Sequence, residues 1–492
     1  MTTKDIYTTF SPGLLTDLYQ LTMGCGYWKE GIENTETVFA MHFRTNPFKG
    51  GYTIACGLQQ VIEFLQCFRY TDDDIAYLQT LTGDGGRPLF EKEFLALLRK
   101  MEFSCDIDAI PEGTVVFPQE PMLRIKGPIL QTQIVETAIL TILNFQSLIA
   151  TKSARMVQAA EGDPIFEFGL RRAQGFDGGV SASRASYIGG CVGTSNVLAG
   201  KLYNIPLKGT HAHSWVMLFE DELEAFLAYG KAMPHNCVFL ADTYNSLEGV
   251  RHAIEAAKKL ASKDFFFAGI RLDSGDLAYL SIEARKMLDA AGFPDAKIVA
   301  TNDLNEEIIS SLKQQKAKVQ TWGVGTRLVT AYDQPALGGV YKLTAVKNAH
   351  GEWESRLKLS EQLNKMTNPG ILQIRRYYYP DGNAMGDMIY DIRKSIKSDV
   401  PNRMIDPFDA TRQRNFPAGT KSTELLVPVF RGGECVYEAP SIEEMRTRVQ
   451  TQLNSFHSGV KRLINPHTYP VGLEEKYYQQ KTELILKLRH MK

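Results

Sequence analysis

The chain lacks the features that would place it in several large classes of protein. Its seven cysteines (Cys25, Cys56, Cys67, Cys105, Cys191, Cys237 and Cys435) are odd in number and dispersed, and no two form a C-x-x-C pair. That pattern excludes a disulfide framework and a cysteine-built structural zinc site, and it points to reduced, buried thiols. There is no excess of charge of either sign. Lysine plus arginine total 55 against 56 acids, a net charge of −1, so nothing favours non-specific binding to nucleic acid or to a membrane. No apolar run is long enough to cross a bilayer. The opening MTTKDIYTTF has no apolar core of a secretory signal. Internal repeats and low-complexity tracts are absent as well.

What is present is an ordinary globular composition, 44% hydrophobic and 23% charged, in 492 residues. That length exceeds one core, so two or three domains are expected. Residues 1–160 read as an N-terminal α+β domain with a bridging helix over 129–160. Within it, 58–68 and 93–103 have helical periodicity, and 113–128 reads as two short strands around a turn. Residues 347–492 form a C-terminal region expected to pack on the N-terminal domain. It contains a hairpin around Gly432–Gly433 and a helix opened by the capping box of Ser441 and Glu444.

Between them, over 161–346, short β-rich runs recur at 164–171, 204–213, 237–246, 265–276, 296–305, 319–327 and 338–346. Helical segments such as 246–260 and 279–292 separate several of them. Strands alternating with helices imply parallel β-α units, and this many in so short a span suggest a closed or nearly closed α/β barrel rather than an open doubly wound sheet. Polar residues collect where each strand ends: Arg171, Thr210 to His213, Asp242, Arg271 to Asp276, Thr301 to Asp303, and Gly325 with Thr326. The carboxyl ends of barrel strands are where chemistry gathers.

The stretch KGTHAHSW (208–215) holds an H-x-H pair. On a strand, alternate residues share a face, so the pair could ligate a metal. None of the other histidines falls at a strand's carboxyl end, which argues against a metallohydrolase. RLDSGD (271–276) could bind Mg2+ and a polyphosphate or steady developing positive charge, or it could simply cap the next helix through Asp273 and Ser274. WGVGTR (322–327) and the neighbouring TND (301–303) together suit a phosphate site built from late barrel loops. Phe168 with Arg171 and Arg172 suits a flat anionic ring, while an isolated Phe would be core.

The motifs LLTDLYQLTMGCGYW (14–28), FEFGLRRAQG (166–175), GTHAHSW (209–215), ADTYNS (241–246), RLDSGDL (271–277), ATNDL (300–304) and GVGT (323–326) occur in the order and spacing of nicotinate phosphoribosyltransferases, which the chain resembles over about 14–345 and in its tail. The resemblance implies the type II phosphoribosyltransferase fold: an irregular TIM-like α/β barrel with an α+β sandwich-like N-terminal domain and a C-terminal cap region. It implies transfer of phosphoribose from 5-phosphoribosyl 1-diphosphate to nicotinate in NAD salvage, with substrate-bound Mg2+. ATP hydrolysis would be coupled through a phosphohistidine. It also implies a cytoplasmic homodimer with shared active sites.

By motif, His213 resembles the phosphohistidine, with Asp242 and Asp273 as acidic catalytic residues. Phe168, Thr210 and Arg271 resemble nicotinate-binding positions, and Tyr19 resembles the aromatic that closes the other ring face from the partner subunit. Arg171, Asn302, Asp303, Gly325 and Thr326 resemble phosphoribosyl diphosphate ligands. The family carries an apolar residue at the position of His211, so His211 departs from the pattern and receives no role. The alternatives are the nicotinamide-specific relative, which shares fold and histidine, and a catalytically silent binding barrel.

Overall fold

The structure is a computed structural model describing residues 11–362 and 365–490. The opening ten residues, read above for a secretory signal, lie outside the described residues. The chain divides into two compact units, one made of residues 1–148 and 336–492, the other of 149–335.

In the first unit a seven-stranded sheet contains Glu36–His42, which pairs antiparallel with Leu123–Pro128 and with Val340–Lys347. Val427–Arg431 of the tail pairs antiparallel with Asp106–Ala109, so the tail completes the N-terminal sheet rather than forming a body of its own. The Gly432–Gly433 hairpin forms, as does the capping box of Ser441 and Glu444. A six-stranded sheet holds most of the tail's other strands. On one of its strands Arg376 is fully buried and bonded to Asp387, Gln452 and the Val115 carbonyl.

Two expectations change here. The strand expected over 338–346 forms as Val340–Lys347, but it joins the first unit as an antiparallel neighbour of Glu36–His42, and the second unit ends at Pro335. A β-rich run marks a strand but not its partner, which distant pairing decides. The helix expected over 129–160 is two, Ile129–Ile134 and Glu136–Ala159, divided at Val135.

The second unit is the α/β body. Its strands are β1 (Ile165–Glu167), β2 (Gly193–Thr194), β3 (Cys237–Leu240), β4 (Phe267–Leu272), β5 (Lys297–Ala300) and β6 (Thr321–Val324). They lie in the order β2-β1-β6-β5-β4-β3, all parallel. That is the neighbour order of a barrel opened between β2 and β3. The strand expected over 204–213 falls in this gap, where only Leu207 bridges to Thr194. Gly209 and Thr210 then leave the sheet, and the short helix His213–Val216 follows.

Helices α1 (Gly175–Ile188), α2 (Glu222–Ala232), α3 (Ser246–Leu260), α4 (Leu277–Ala290) and α5 (Glu306–Gln314) connect the strands. Side chains of Asp221, Asn245, Asp276 and Asn305 cap α2 to α5 by accepting from backbone N–H groups. Each such cap stabilises its helix by about 1 kcal/mol. Capped starts just after the strands of a parallel unit set several polar turns on one rim.

Candidate active site

The barrel interior is hollow. A cavity of about 890 Å3 extends from Phe168, Arg271 and Asp273 at the strands' carboxyl ends to Lys297 and Thr321 at their amino ends. Barrels of this kind are normally filled by inward side chains. Here Val238, Leu240, Ala268 and Val299 line the cavity without filling it. A smaller cavity of about 220 Å3 lies over the ends of β5 and β6. Phe168, Arg171, Arg271 and Asp273 line both.

Arg271 reaches the cavity through a backbone irregularity. The pairing of β3 with β4 skips Ala268, a β-bulge, and Gly269 sits at φ 144°. A Cβ there would lie 1.9 Å from the Lys297 carbonyl oxygen, so only glycine fits. The bulge resets the two-residue alternation, and Ala268 and Arg271, three apart, both line the cavity. Arg271 donates through Nε to Thr301 Oγ1 at 2.8 Å and through Nη2 to Asp273 Oδ1 at 3.0 Å. Thr301 also donates to Asp273. Burial pushes the Asp273 carboxyl up, but the Thr301 bond and the Arg271 charge outweigh it and hold the group below its ordinary value.

Asp273 is therefore tied into the site, and the cap of α4 is Asp276, whose carboxylate accepts from the Tyr279 N–H. The reading of Asp273 and Ser274 as the helix cap is set aside. Asp242, after β3, lines neither cavity and supports the site from behind. Its Oδ2 accepts from the Asp273 N–H at 2.9 Å and from the Ser274 hydroxyl at 2.6 Å. Its buried Oδ1 accepts no protein hydrogen bond, and His213 Nε2 stands 3.4 Å from it at charge-pair distance.

The two histidines separate. His213 begins the short helix, with its side chain 40% exposed at the cavity wall. His211 is buried, edge-on to Tyr229, and its Nε2 accepts from the Leu240 N–H at 3.3 Å. Burial pushes the His211 imidazole down to about 4. It stays neutral and holds the 208–213 turn against β3. Among the described residues no group of three or more His, Cys, Asp or Glu is arranged to hold a metal ion.

Phe168 donates its N–H to Val324 O at 2.6 Å and stacks with Phe166, with 6.1 Å between ring centroids. Its ring packs over Gly323, where a Cβ would lie 2.7 Å from it. Beneath this turn the buried Glu167 accepts from the Gly169 N–H, the Ser183 hydroxyl and the Thr194 hydroxyl, which ties the Phe168–Arg171 turn to β2.

Thr210 lines the larger cavity, and Asn302, Asp303, Gly325 and Thr326 line the smaller. Asn302 adopts φ 116°, and its side chain accepts from the Asp303 N–H. Tyr19 lies in the first unit, exposed on the helix Leu18–Lys29.

Sequence reasoning missed Ser195 and Lys208, which line the larger cavity, and read Thr301 only as part of the phosphate stretch TND. Arg172, read from the sequence together with Arg171, lines the smaller cavity. Ser195 and Lys208 had no local signal, because the β2 turn and the 208–213 turn meet only through the single bridge at Leu207. The arrangement can hold a flat ring against Phe168, a carboxylate against Arg271, and phosphates against Arg171, Arg172 and the late turns.

Comparison with known proteins agrees with this chemistry. Residues 14–144 match the nicotinate phosphoribosyltransferase N-terminal domain, 165–357 match the nicotinate phosphoribosyltransferase family, and 372–481 match its C-terminal domain. The nicotinate phosphoribosyltransferase of Bacillus subtilis (strain 168) is 40% identical over 477 residues, covering 96% of this chain and 95% of its own. That of Caenorhabditis elegans is 36% identical, covering 95% of this chain and 92% of its own. The crystal structure of human nicotinic acid phosphoribosyltransferase superposes with a TM-score of 0.83 at 31% identity, over 96% of this chain and all of that one.

Proposed function

The chain belongs to the nicotinate phosphoribosyltransferase family, and on that footing we propose how its two cavities divide the reaction. The enzyme transfers phosphoribose from 5-phosphoribosyl 1-diphosphate to nicotinate in NAD salvage. The observation that carries the division is the wall shared by the two cavities, Phe168, Arg171, Arg271 and Asp273. Nicotinate lies in the larger cavity with its ring on Phe168 and its carboxylate on Arg271, with Thr210 and Ser195 as hydroxyl donors. The lining carries Lys208 as a further cation, and its one carboxylate, Asp273, is engaged by Arg271 and Thr301. A lining rich in cations, with its one carboxylate already engaged, favours the anionic acid over the neutral amide.

The phosphoribosyl group lies across the wall, with its 5′-phosphate on Gly325, Thr326, Asn302 and Arg172 and its diphosphate on Arg171. The ring nitrogen attacks the anomeric carbon as the bond to diphosphate breaks. Asp273 faces the positive charge that develops on the ribose. The carboxylates lining the smaller cavity, Asp273 and Asp303, are too few to cage a cation, which suits a Mg2+ that arrives on the substrate's phosphates. When bound, that ion would neutralise the leaving diphosphate.

His213 carries the ATP coupling in this reading. Asp242 Oδ1 faces Nε2, so the carboxylate favours a proton on Nε2 and leaves the Nδ1 lone pair free. Nδ1 attacks the γ-phosphorus of ATP, ADP leaves, and water later cleaves the P–N bond to release phosphate. The phosphoryl group adds roughly −2 charge beside the site, which reorganises it for the sugar diphosphate. Mass spectrometry after incubation with ATP should find an acid-labile phosphate on His213 and none on His211. A His213→Ala variant that kept full ATP coupling would overturn the assignment. Parallel assays with nicotinate and nicotinamide test the acid preference.

A second copy of the chain completes the site in the same proposal. Leu15, Leu18, Tyr19 and Met23 are all exposed on one short segment, and burying them would favour a homodimer. Tyr19→Ala should then raise the KM for nicotinate while sedimentation still reports a dimer. The substrates are small molecules, and neither nucleic acid nor membrane is a partner in this reading. Among the described residues no helix is long and apolar enough to cross a membrane. The cytoplasm is the proposed location, in keeping with seven dispersed cysteines that form no C-x-x-C pair.

A further inference from the structure

Thr301 stands at the junction of the nicotinate site without facing outward like its neighbours Asn302 and Asp303. It is 4% exposed. Its methyl group is fixed by Gly323 of the adjacent strand: a Cβ at 323 would come within 2.5 Å of Thr301 Cγ2 and 2.7 Å of the Phe168 ring. With the methyl packed there, the hydroxyl is left facing Arg271 and Asp273. It accepts from Arg271 Nε at 2.8 Å and donates to Asp273.

The consequence falls on the guanidinium. Arg has five N–H donors in a planar fork. Nε is held by Thr301 and one Nη2 hydrogen by Asp273. Among the described residues Nη1 donates to no protein acceptor, so the outer edge of the fork is unspent at the cavity wall. Two anchors fix the plane of the group, and a planar edge of two N–H bonds matches a carboxylate in a bidentate pair. A single anchor would leave the fork free to rotate about its last bond.

We propose that Thr301 is a positioning residue that sets the orientation of Arg271 and so makes the site select a carboxylate over a carboxamide. This rests on the reading above that Arg271 meets the nicotinate carboxylate. Thr301 lies on the wall of the smaller cavity, and on nicotinate it acts through Arg271.

The test compares wild type with Thr301→Val, which keeps the shape and removes the hydroxyl, and with Thr301→Ser, which keeps the hydroxyl and removes the methyl. Two bonds to charged groups are lost in the valine variant. The KM for nicotinate should therefore rise about 10- to 100-fold, with kcat at saturating nicotinate and the KM for the sugar diphosphate each within about threefold. The ratio of kcat/KM for nicotinate to that for nicotinamide should fall by a similar factor, and serine should restore most of both. Equal behaviour of the valine and serine variants would overturn the inference. So would a loss confined to kcat or to the sugar diphosphate. A wild-type enzyme that prefers nicotinamide would sink the carboxylate reading itself, and this inference with it, a result distinct from those of the variants.

Discussion

Replacing Asp242 with Asn tests the histidine chemistry most directly, because it changes one atom and reverses the meaning of a contact. Oδ2 of Asp242 accepts from the Asp273 N–H and the Ser274 hydroxyl. In Asp242→Asn the amide oxygen must keep that place, since both partners are donors. The NH2 group then occupies the position of Oδ1, 3.4 Å from His213 Nε2. Where the carboxylate invites a proton on Nε2, the amide supplies one, and the imidazole is driven to carry its proton on Nδ1. The lone pair needed to accept a phosphoryl group is consumed. Losing the charge pair, at 3.4 Å and with His213 partly exposed, costs about 1 kcal/mol, and holding the proton on Nε2 against an amide donor about 1–3 kcal/mol more. At roughly 1.4 kcal/mol per tenfold, phosphorylation should slow by about 30- to 10^3-fold. Loss of catalysis through a wrong tautomer has precedent in the Ser-His-Asp enzymes. The assay is single-turnover transfer of label from γ-labelled ATP to protein, with thermal unfolding as a control. The retained bonds to Asp273 and Ser274 should keep the midpoint within a few degrees. An Asn variant that folds normally and is labelled at the wild-type rate would refute the tautomer argument.

Gly323→Ala places a methyl group 2.5 Å from Thr301 Cγ2 and 2.7 Å from the Phe168 ring. Overpacking of this kind costs about 1–3 kcal/mol, and Phe168 must shift, so the KM for nicotinate should rise about tenfold while labelling of His213 by ATP is unchanged. His211, held down to about 4 by burial, gives a pH prediction. As pH falls below about 6.5 the unfolded chain takes up a proton at this position and the folded chain does not, so stability is lost until the pH nears 4. The loss amounts to about 3 kcal/mol at its limit. His211→Gln, which can still accept from the Leu240 N–H, should flatten the fall in unfolding midpoint across that window. An unchanged slope in denaturant titrations from pH 7 to pH 4.5 would show that His211 is not the group responsible.

Much of this protein was legible along the chain because its causes are local. The helix over 246–260 is found at Ser246–Leu260, begun by the Asn245 side chain, and the Ser441 box forms as its spacing requires. Strands β3 to β6 stand within the β-rich runs, and the polar residues after them do meet at one rim. The family resemblance adds an expectation that spacing alone leaves open, that His213 rather than His211 is the phosphohistidine. Reading 204–213 as a strand failed because one bridge at Leu207 is all the sheet needs there. Local β-propensity cannot see that limit.

The sequence by itself determined the periodicities, the caps, the turn chemistry and the kinds of side chain delivered to the barrel mouth. Each of these depends on neighbours a few residues away. Only the tertiary structure decided which side chains face one another. His213 finds Asp242 across 29 positions of chain, Asp242 holds the 273–274 turn, and Thr301 meets Arg271 across 30. The bulge at Gly269 aims that arginine inward, and the strand at Val340–Lys347 is carried to the other unit. The reason is physical: hydrogen-bond pairing between strands and the packing of a methyl group against a distant glycine have no short-range trace, so they exist only once the chain has closed on itself.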